Sequence, residues 1–253
     1  MRRCVRVAVA CALAGACAAP PASGATSAAD SRAVRPIGAN GTLGDERLSD
    51  ERRVTRYAGA VARAAVRHKP STRSARVGRL RYLTEDGPFE VYPVLESQVD
   101  AAGRTWLRIR LPMRPSGRTG WVQRNDLGTL HAVRTMLRVN RGTLRATLYR
   151  DGRRIWSSPI GVGTAATPTP AGNFWIRSRL RGLGSPVYGP YAFGTAAYSV
   201  LSDWPGGGVI GVHGTDQPEL IPGRPSHGCI RVPNAAITRL WQLMPIGTPV
   251  QIV

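Results

Sequence analysis

The sequence has 253 residues, of which 42% are hydrophobic. That length allows one large domain or two small ones, and the apolar content excludes a wholly disordered chain. The chain is strongly basic, with 35 Lys and Arg against 15 Asp and Glu, and Lys69 is its only lysine. The arginines are scattered and no nucleic-acid-binding motif accompanies them, so we predict no nucleic-acid partner. Two interpretations of the charge stay open: a compositional bias of the genome, and attraction to an acidic polymer or membrane surface.

Residues 1–25 are predicted to be a signal peptide. The segment starts with the basic pair Arg2-Arg3 and continues with a small, apolar run from Val7 to Ala19, which is too short for a permanent membrane span. Small residues around Ala25 offer a cleavage site. An alternative is lipid attachment at Cys17, which a near match to a lipobox precedes. Either route predicts an exported protein of the cell envelope, with membrane contact only through such a lipid anchor.

The next two segments are predicted to be a flexible linker over 26–53 and a small β domain over 54–130. The linker mixes Ala, Ser, Gly and charged residues without periodicity. In the second segment, Trp106–Leu111 alternates as a half-buried strand does, and Gly120-Trp121-Val122 begins another strand after a turn. This pattern resembles a bacterial SH3-like barrel. A wall-peptide-binding module and a spacer without a ligand both remain open for it.

The second half of the chain is also predicted to consist mainly of strands. The stretch from Leu144 to Val162 is typical of a hairpin, with Asp151-Gly152 as a two-residue turn. A single helix is expected late in the chain, capped by Asn234 and stopped by Pro245. Thr248–Val253 is expected to form the last strand.

Cys229 is the strongest candidate for a chemically active residue. After cleavage behind Ala25 it is the only thiol, so no internal disulfide can form. A thiol is a strong nucleophile only when a base or a positive charge promotes loss of its proton. Two histidines lie nearby in sequence, His213 and His227. His213 follows a short apolar strand and is distant enough along the chain to face the thiol from a neighbouring strand, so we predict that it is the base.

Residues around Cys229 suggest supporting roles. Gly228 allows a backbone turn that aims consecutive N–H groups at one point, which would form an oxyanion hole. Ser226 offers a hydroxyl donor or a means of holding the loop. Arg231 offers a bidentate contact to a substrate carboxylate, with an ordinary surface arginine as the alternative.

The two motifs together resemble the signature of the L,D-transpeptidase catalytic domain, also called the YkuD domain. The signature residues are His213-Gly214-Thr215 and, after a loop, Ser226-His227-Gly228-Cys229. The earlier stretch from Gly161 to Phe174 resembles the same family. One departure is Arg231, which stands where many members have asparagine.

The resemblance implies a fold, an activity and roles for several residues. The fold class is mainly β: an SH3-like barrel, then the L,D-transpeptidase β-sandwich over 134–253 with one C-terminal helix. Cys229 would attack the stem-peptide carbonyl, His213 would take the thiol proton, and the Gly214 carbonyl would orient the imidazole. The backbone of residues 227–229 would hold the oxyanion, with a supporting role for His227. The Gly- and Pro-rich segment Pro186–Phe193, which includes Tyr191, would form an aromatic flap over the site, with core packing as the alternative.

The same resemblance implies partners and cofactors. The substrates would be peptidoglycan stem peptides, the enzyme would need no metal or organic cofactor, and it would act as a monomer. Acidic wall polymers are a further candidate partner for the basic surface.

Several competing interpretations stay open beside this one. Release of the acyl group to water would make the chain an L,D-carboxypeptidase. A protein that binds the wall without catalysis is another alternative, although the His and Cys motifs are intact. A zinc site built on the same residues lacks a fourth ligand at the usual spacing. His68 and His131 lie outside the motif and are expected to be ordinary surface or packing residues.

Overall fold

The computed structural model describes residues 43–203 and 205–253, which belong to one compact unit. The predicted signal peptide, the candidate lipid site Cys17 and the linker up to residue 42 lie outside the described residues. Within the described ranges, no helix is long and apolar enough to cross a membrane.

The first of two sheets is built from short strands within residues 46–133. In chain order they are β1 (Glu46–Arg47), β2 (Thr55–Gly59), β3 (Ala65–Arg67), β4 (Arg76–Arg79), β5 (Val91–Val99), β6 (Thr105–Arg110), β7 (Thr119–Gln123) and β8 (His131–Val133). Their order in the sheet is β4-β3-β7-β6-β5-β2-β8, and β1 pairs with β5. All of these pairs are antiparallel. Their buried hydrophobic residues form a core of their own, and β7 shows the alternation of buried and accessible residues expected of a half-buried strand.

A packed and paired stretch precedes the predicted domain boundary at residue 54. Leu43 and Leu48 are buried in the core of the first sheet, and β1 pairs with β5. The Asp50 carboxylate accepts hydrogen bonds from the N–H groups of residues 52, 53 and 54, which turns the chain into β2. Two isolated leucines show no periodicity in the sequence, so the linker prediction does not describe this stretch.

The second sheet contains the remaining strands. The one α-helix in the described residues packs against this sheet. The strands are β9 (Thr135–Asn140), β10 (Arg145–Arg150), β11 (Arg153–Pro159), β12 (Gly161–Gly163), β13 (Gly172–Arg181), β14 (Tyr191–Tyr198), β15 (Val209–His213), β16 (Gly223–Ser226), β17 (Ile230–Arg231) and β18 (Pro249–Ile252). Helix α1 spans Asn234–Leu243. The strand order is β11-β10-β9-β18-β13-β14-β15-β17-β12-β16. The mainly β fold class is therefore confirmed; the SH3-like assignment of the first sheet stays a prediction.

The second sheet curls back on itself. β11 is at one edge, yet Ile160 alone separates its last residue from β12 near the other edge. Both regions contribute to a single apolar core, which also receives Ile237 and Leu240 from α1. The hairpin turn at Asp151-Gly152 is confirmed, with φ of 51° and 78°. The prediction that its second strand continues to Val162 is wrong. β11 ends at Pro159, Ile160 is buried, and the next residues form β12, which pairs with β16 and β17 instead.

A buried ionic network joins the two sheets. Arg177 on β13 donates through Nε to Glu90 Oε1 at 2.9 Å and through NH2 to Glu90 Oε2, while Glu85 Oε2 lies 2.8 Å from the same guanidinium. Arg177 and Glu90 are almost fully buried. Nearby, Arg114 NH2 donates to the carbonyls of Ser199 and Gly207, at 3.0 Å each. The first sheet thus holds strands and loops that border the site described next.

Candidate active site

The loop between β16 and β17 carries Cys229 and is fixed by hydroxyl groups. Ser226 Oγ accepts the Gly228 N–H at 3.1 Å and donates to the Cys229 carbonyl at 2.6 Å. Thr169 Oγ1 donates to the Gly228 carbonyl at 2.7 Å. Gly228 has φ of 120°, which other residues rarely adopt, and a β-carbon there would stand 2.7 Å from Ile210 Cδ1. Of the two uses predicted for Ser226, the structure shows that it holds the loop.

His213 ends β15 and is oriented by the next residue. Its Nδ1 lies 2.6 Å from the Gly214 carbonyl oxygen. Because a carbonyl can only accept, Nδ1 carries the proton and Nε2 keeps a lone pair for use as a base. The predicted contact between Gly214 and the imidazole is therefore present. Tyr188 packs edge-on against the ring, with centroids 5.1 Å apart.

Gly211 leaves the space in which the imidazole and the thiol meet. A β-carbon on Gly211 would stand 3.6 Å from His213 Cδ2 and 3.9 Å from Cys229 Sγ. The Gly211 N–H itself donates to Sγ at 3.3 Å. β15 and β17 are parallel neighbours, with His213 paired to Arg231, which brings the loop of Cys229 beside the end of β15. The two residues predicted as nucleophile and base thus face one small volume.

Burial keeps both groups neutral at rest. It raises the pKa of the Cys229 thiol, against the opposing effects of the Gly211 N–H and the Arg231 charge. Burial also lowers the pKa of His213 to about 4, opposed by the Gly214 carbonyl and assisted by the Arg231 charge. A neutral imidazole beside a neutral thiol is suited to general-base catalysis, in which the proton moves as Sγ attacks.

We expect the rate of acylation of Cys229 to fall on the acid side with a midpoint near pH 4, the pKa of His213, instead of near pH 6.5, the pKa of an ordinary histidine. The imidazole accepts a proton only while it is neutral, and its pKa in the folded chain is about 4. The measurement is the rate constant of acylation by a carbapenem from pH 3.5 to 8, with circular dichroism at each pH to establish folding. The unfolded chain binds this proton near pH 6.5, so stability also falls as the pH drops from there towards 4. A half-maximal rate near pH 6.5 would contradict the prediction.

A cavity of about 240 Å³ opens over the thiol and the imidazole. Its lining combines the motif residues with apolar side chains of the β13–β14 connection and one residue of the first sheet's loops: Asp86, Leu180, Leu183, Val187, Tyr188, Ala192, Phe193, Gly194, Ser199, Gly208, Val209, Ile210, Gly211, His213, Ser226, His227, Cys229 and Arg231. The wall from residue 180 to 188 overlaps the predicted flap segment, residues 186–193, at Val187 and Tyr188.

The aromatic residue of that wall is Tyr188, whereas Tyr191 does not line the cavity and has the packing position that was the alternative to substrate binding. Tyr191 begins β14 and stacks on Trp241 of α1, with centroids 4.6 Å apart and planes 16° apart. It packs against the core and does not line the cavity. Because β14 starts at Tyr191, the ring of Tyr191 points towards Trp241 while the ring of Tyr188 points towards His213. The Gly- and Pro-rich sequence does not predict this difference.

Asn234 connects α1 with the loop of His213, a role that differs from the predicted helix cap. Pro233 is the N-cap, and Asn234 is the first helical residue. Its Oδ1 accepts the Thr215 N–H at 2.9 Å. The amide also lies against Gly189 and Gly214, where a β-carbon on either glycine would collide with Oδ1. One side chain therefore fixes the turn after His213 and the end of the Tyr188 wall.

Replacing Asn234 with alanine is expected to slow acylation of Cys229 about tenfold, because the buried Thr215 N–H loses its acceptor. Asn234→Asp keeps an acceptor oxygen and is expected to stay within about threefold of the wild type. Single-turnover acylation rates of both variants are the measurement, with melting temperatures alongside. Equal rates for the alanine and aspartate variants would show that the hydrogen bond does not position His213.

The remaining predicted residues are near the thiol in different ways. Arg231 lines the cavity, with NH1 donating to Gln217 Oε1 at 3.0 Å, while its Nε is buried without a partner among the described residues. His227 is exposed at the cavity rim. Of the predicted oxyanion donors, the Gly228 N–H already donates to Ser226, whereas the Cys229 N–H has no acceptor in the described part of the chain. That group belongs to the same residue as the candidate nucleophile and is free to donate to an oxyanion.

His68 and His131 do not line this cavity; His68 directly follows β3 and His131 lies in β8, both of the first sheet. His131 begins β8 and packs against Tyr57, with centroids 5.4 Å apart. Across residues 43–203 and 205–253, no three His, Cys, Asp or Glu side chains gather into a metal-binding group.

Comparison with known proteins identifies the domain that carries the site. Residues 134–252 match the family model of the YkuD L,D-transpeptidase catalytic domain. The YkuD protein of Bacillus subtilis is 35% identical over 114 residues, which is 45% of this chain and 63% of that protein. The YkuD protein of Bacillus licheniformis is 35% identical over 119 residues, or 47% and 64% of the two chains. Residues 134–252 are thus similar to the YkuD L,D-transpeptidase catalytic domain, and the whole chain spans somewhat less than two thirds of these relatives.

Solved structures of similar proteins include L,D-transpeptidases. One from Enterococcus faecium is 27% identical, with 47% of this chain and 49% of that chain covered and a TM-score of 0.38. One from Xylanimonas cellulosilytica is 27% identical, with coverages of 47% and 60% and a TM-score of 0.36. The family assignment rests on the sequence match over residues 134–252.

Proposed function

We propose that this chain is an exported cysteine L,D-transpeptidase that crosslinks peptidoglycan stem peptides. The observation that carries the proposal is the shared space above Gly211, where a thiol and a correctly oriented neutral imidazole face an open cavity. It lies in a YkuD L,D-transpeptidase catalytic domain. The chemistry follows from these two groups alone.

In the first half-reaction, Cys229 Sγ attacks the carbonyl between the L-configured centre and the terminal D-residue of a tetrapeptide stem. The thiol proton moves to His213 Nε2 as the carbon–sulfur bond forms. The Cys229 N–H is placed to donate to the oxyanion. Collapse of the tetrahedral intermediate breaks the carbon–nitrogen bond, and the leaving D-alanine nitrogen takes the proton back from His213.

In the second half-reaction, an amine of another stem attacks the thioester. His213 takes its proton and returns it to the sulfur as the carbon–sulfur bond breaks. Water in place of the amine would give the carboxypeptidase outcome. The apolar wall from Leu180 to Tyr188 limits the access of water and so supports transfer to an amine.

The localisation belongs to the same proposal. Residues 1–25 have the composition of a signal peptide, and the substrate class occurs outside the cytoplasm. The net charge of +20 supports an additional electrostatic attraction to acidic wall polymers.

The test incubates the purified protein with a synthetic tetrapeptide stem and identifies products by mass spectrometry. Transpeptidation predicts released D-alanine and a crosslinked dimer, with a tripeptide as the minor product. The matched control is a stem that ends in L-alanine, which should not react. Tripeptide without dimer, even with excess acceptor amine, would establish the carboxypeptidase instead. Absence of any acyl-enzyme in folded protein would reject both enzymatic functions.

A further inference from the structure

Asp86 lines the catalytic cavity although it lies outside the catalytic domain. The residue belongs to the turn that follows β4, between the bridge partners Leu83 and Phe89, in the first part of the chain. Among the described residues that line the cavity containing Cys229, it is the one with an acidic side chain. The first sheet therefore contributes a charged group to a site whose other lining residues all lie between 180 and 231.

A row of small residues places that carboxylate relative to the thiol. Ser178, Gly194 and Gly211 are directly paired across β13, β14 and β15, so their side-chain positions lie on one face of the sheet. Asp86 Oδ2 lies 3.5 Å from the β-carbon position of Gly194. Cys229 Sγ lies 3.9 Å from the corresponding position of Gly211, one strand further on. Adjacent strands are about 5 Å apart, so a small organic group spans the two.

Two of the three paired residues, Gly194 and Gly211, have no side chain, and the third, Ser178, has a hydroxyl without a hydrogen-bond partner in the described residues. Neither glycine places a side chain between the carboxylate and the thiol. Ser178 is almost fully buried, and its Oγ has no hydrogen-bond partner in the described residues. That oxygen lies against the same β-carbon position of Gly194 that Asp86 approaches. A carboxylate and an unused hydroxyl thus converge on one point beside the nucleophile.

Asp86 also forms no ion pair with a basic residue in the described part of the chain. The chain has more than twice as many basic as acidic residues, yet no basic group pairs with Asp86 anywhere in residues 43–203 and 205–253. The charged groups that face it are Glu85 and Arg177; burial and Glu85 raise the pKa of Asp86, while Arg177 lowers it. Arg177 is already engaged by Glu85 and Glu90. A cation that enters the cavity would therefore meet a carboxylate without a competing internal partner.

We propose that Asp86 binds the alkylammonium group of a peptide substrate beside the Cys229 thioester, with Ser178 as a second acceptor. The proposal rests on the transpeptidase function proposed above and names the part of the substrate that the first sheet recognises. Arg231 lines the same cavity on the side of His213, so the cavity offers one basic and one acidic end. A peptide that carries both a free amine and a carboxylate matches this arrangement.

The test compares Asp86→Asn with Asp216→Asn, which removes the same charge from an exposed residue that does not line the cavity. Asp86→Glu restores the charge. One arm measures acylation by a tetrapeptide stem with a free side-chain amine and by its N-acetylated form. The other arm measures how the acyl-enzyme divides between an amine-bearing tripeptide acceptor and water. Melting temperatures should be equal for all variants, because Asp86 makes no hydrogen bond in the described residues.

Loss of the carboxylate is expected to reduce the affected step about tenfold, in line with a charge-assisted hydrogen bond. A tenfold lower acylation by the free-amine donor, without change for the acetylated donor, assigns the ammonium to the donor. A tenfold shift of the acyl-enzyme towards water assigns it to the acceptor. If Asp86→Asn matches Asp216→Asn in both arms, the proposal is overturned while the transpeptidase function stands. Failure of the wild type to form an acyl-enzyme would reject the function itself.

Discussion

Replacing Cys229 with alanine is expected to reduce turnover of a tetrapeptide stem by about a thousandfold or more, because in the proposed mechanism Sγ is the atom that forms the covalent intermediate. The measurement is intact-protein mass spectrometry after incubation with a carbapenem and, separately, with a stem peptide. The wild type should gain the mass of one acyl group, and the variant should gain none. Cys229 is the free cysteine of the described residues, so the modified peptide should be the one that contains it.

The control for this experiment is folding. Cys229 Sγ receives one backbone hydrogen bond, from Gly211, and the loop is held by the hydroxyls of Ser226 and Thr169. We therefore expect the alanine variant to keep the circular dichroism spectrum of the wild type and a melting temperature within a few degrees of it. An adduct that persists in the folded variant would assign the nucleophile to another residue and remove the basis of the proposed mechanism.

Replacing Glu90 with glutamine is expected to lower the free energy of unfolding by about 3 kcal/mol. The substitution keeps the shape of the side chain and removes the main countercharge of Arg177, which is itself almost fully buried. A buried charge that loses its partner is strongly destabilising, and Glu85 compensates for only part of the loss. The measurement is urea denaturation followed by two independent probes, so that a two-state transition can be verified.

Glu96→Gln is the matched control for the stability prediction. It breaks the ion pair between Glu96 and Arg108, whose side chains are 38% and 42% exposed. An exposed pair of this kind contributes less than about 1 kcal/mol. Equal losses for the two variants would mean that the network between the sheets adds nothing beyond a surface ion pair. Since Glu90 directly precedes β5 of the first sheet and Arg177 lies on β13 of the second, the larger loss is also expected to reduce catalytic activity at elevated temperature.

The sequence predicts those parts of the fold that depend on local patterns. Asp151-Gly152 gives a two-residue hairpin turn because both residues tolerate positive φ, and the structure contains that turn. The last strand and the late helix follow from similar local signals. In the site, the spacing between His213 and Cys229 indicates two neighbouring strands, and β15 and β17 are such a pair.

What the sequence does not predict depends on contacts between distant segments. The amide of Asn234 resembles a helix cap in sequence, but its acceptor role toward Thr215 arises from the packing of α1 against the end of β15. Tyr188 and Tyr191 are equivalent in the Gly- and Pro-rich stretch, and only the start of β14 separates their directions. Asp86 has no motif around it, and its place in the cavity follows from the packing of the first sheet on β13 and β14.

The neutral resting state of the thiol has a consequence for the lifetime of the enzyme. Oxidants such as peroxides react with thiolates far faster than with thiols, and a raised pKa keeps Cys229 in the thiol form. A strongly acidified thiol would react faster with substrate, but it would also be converted to sulfenic acid in an oxidising compartment. In the proposed mechanism the nucleophile forms only when His213 takes the proton during attack on a bound carbonyl. The geometry above Gly211 would then confine reactivity to the moment of catalysis and protect the sulfur between turnovers.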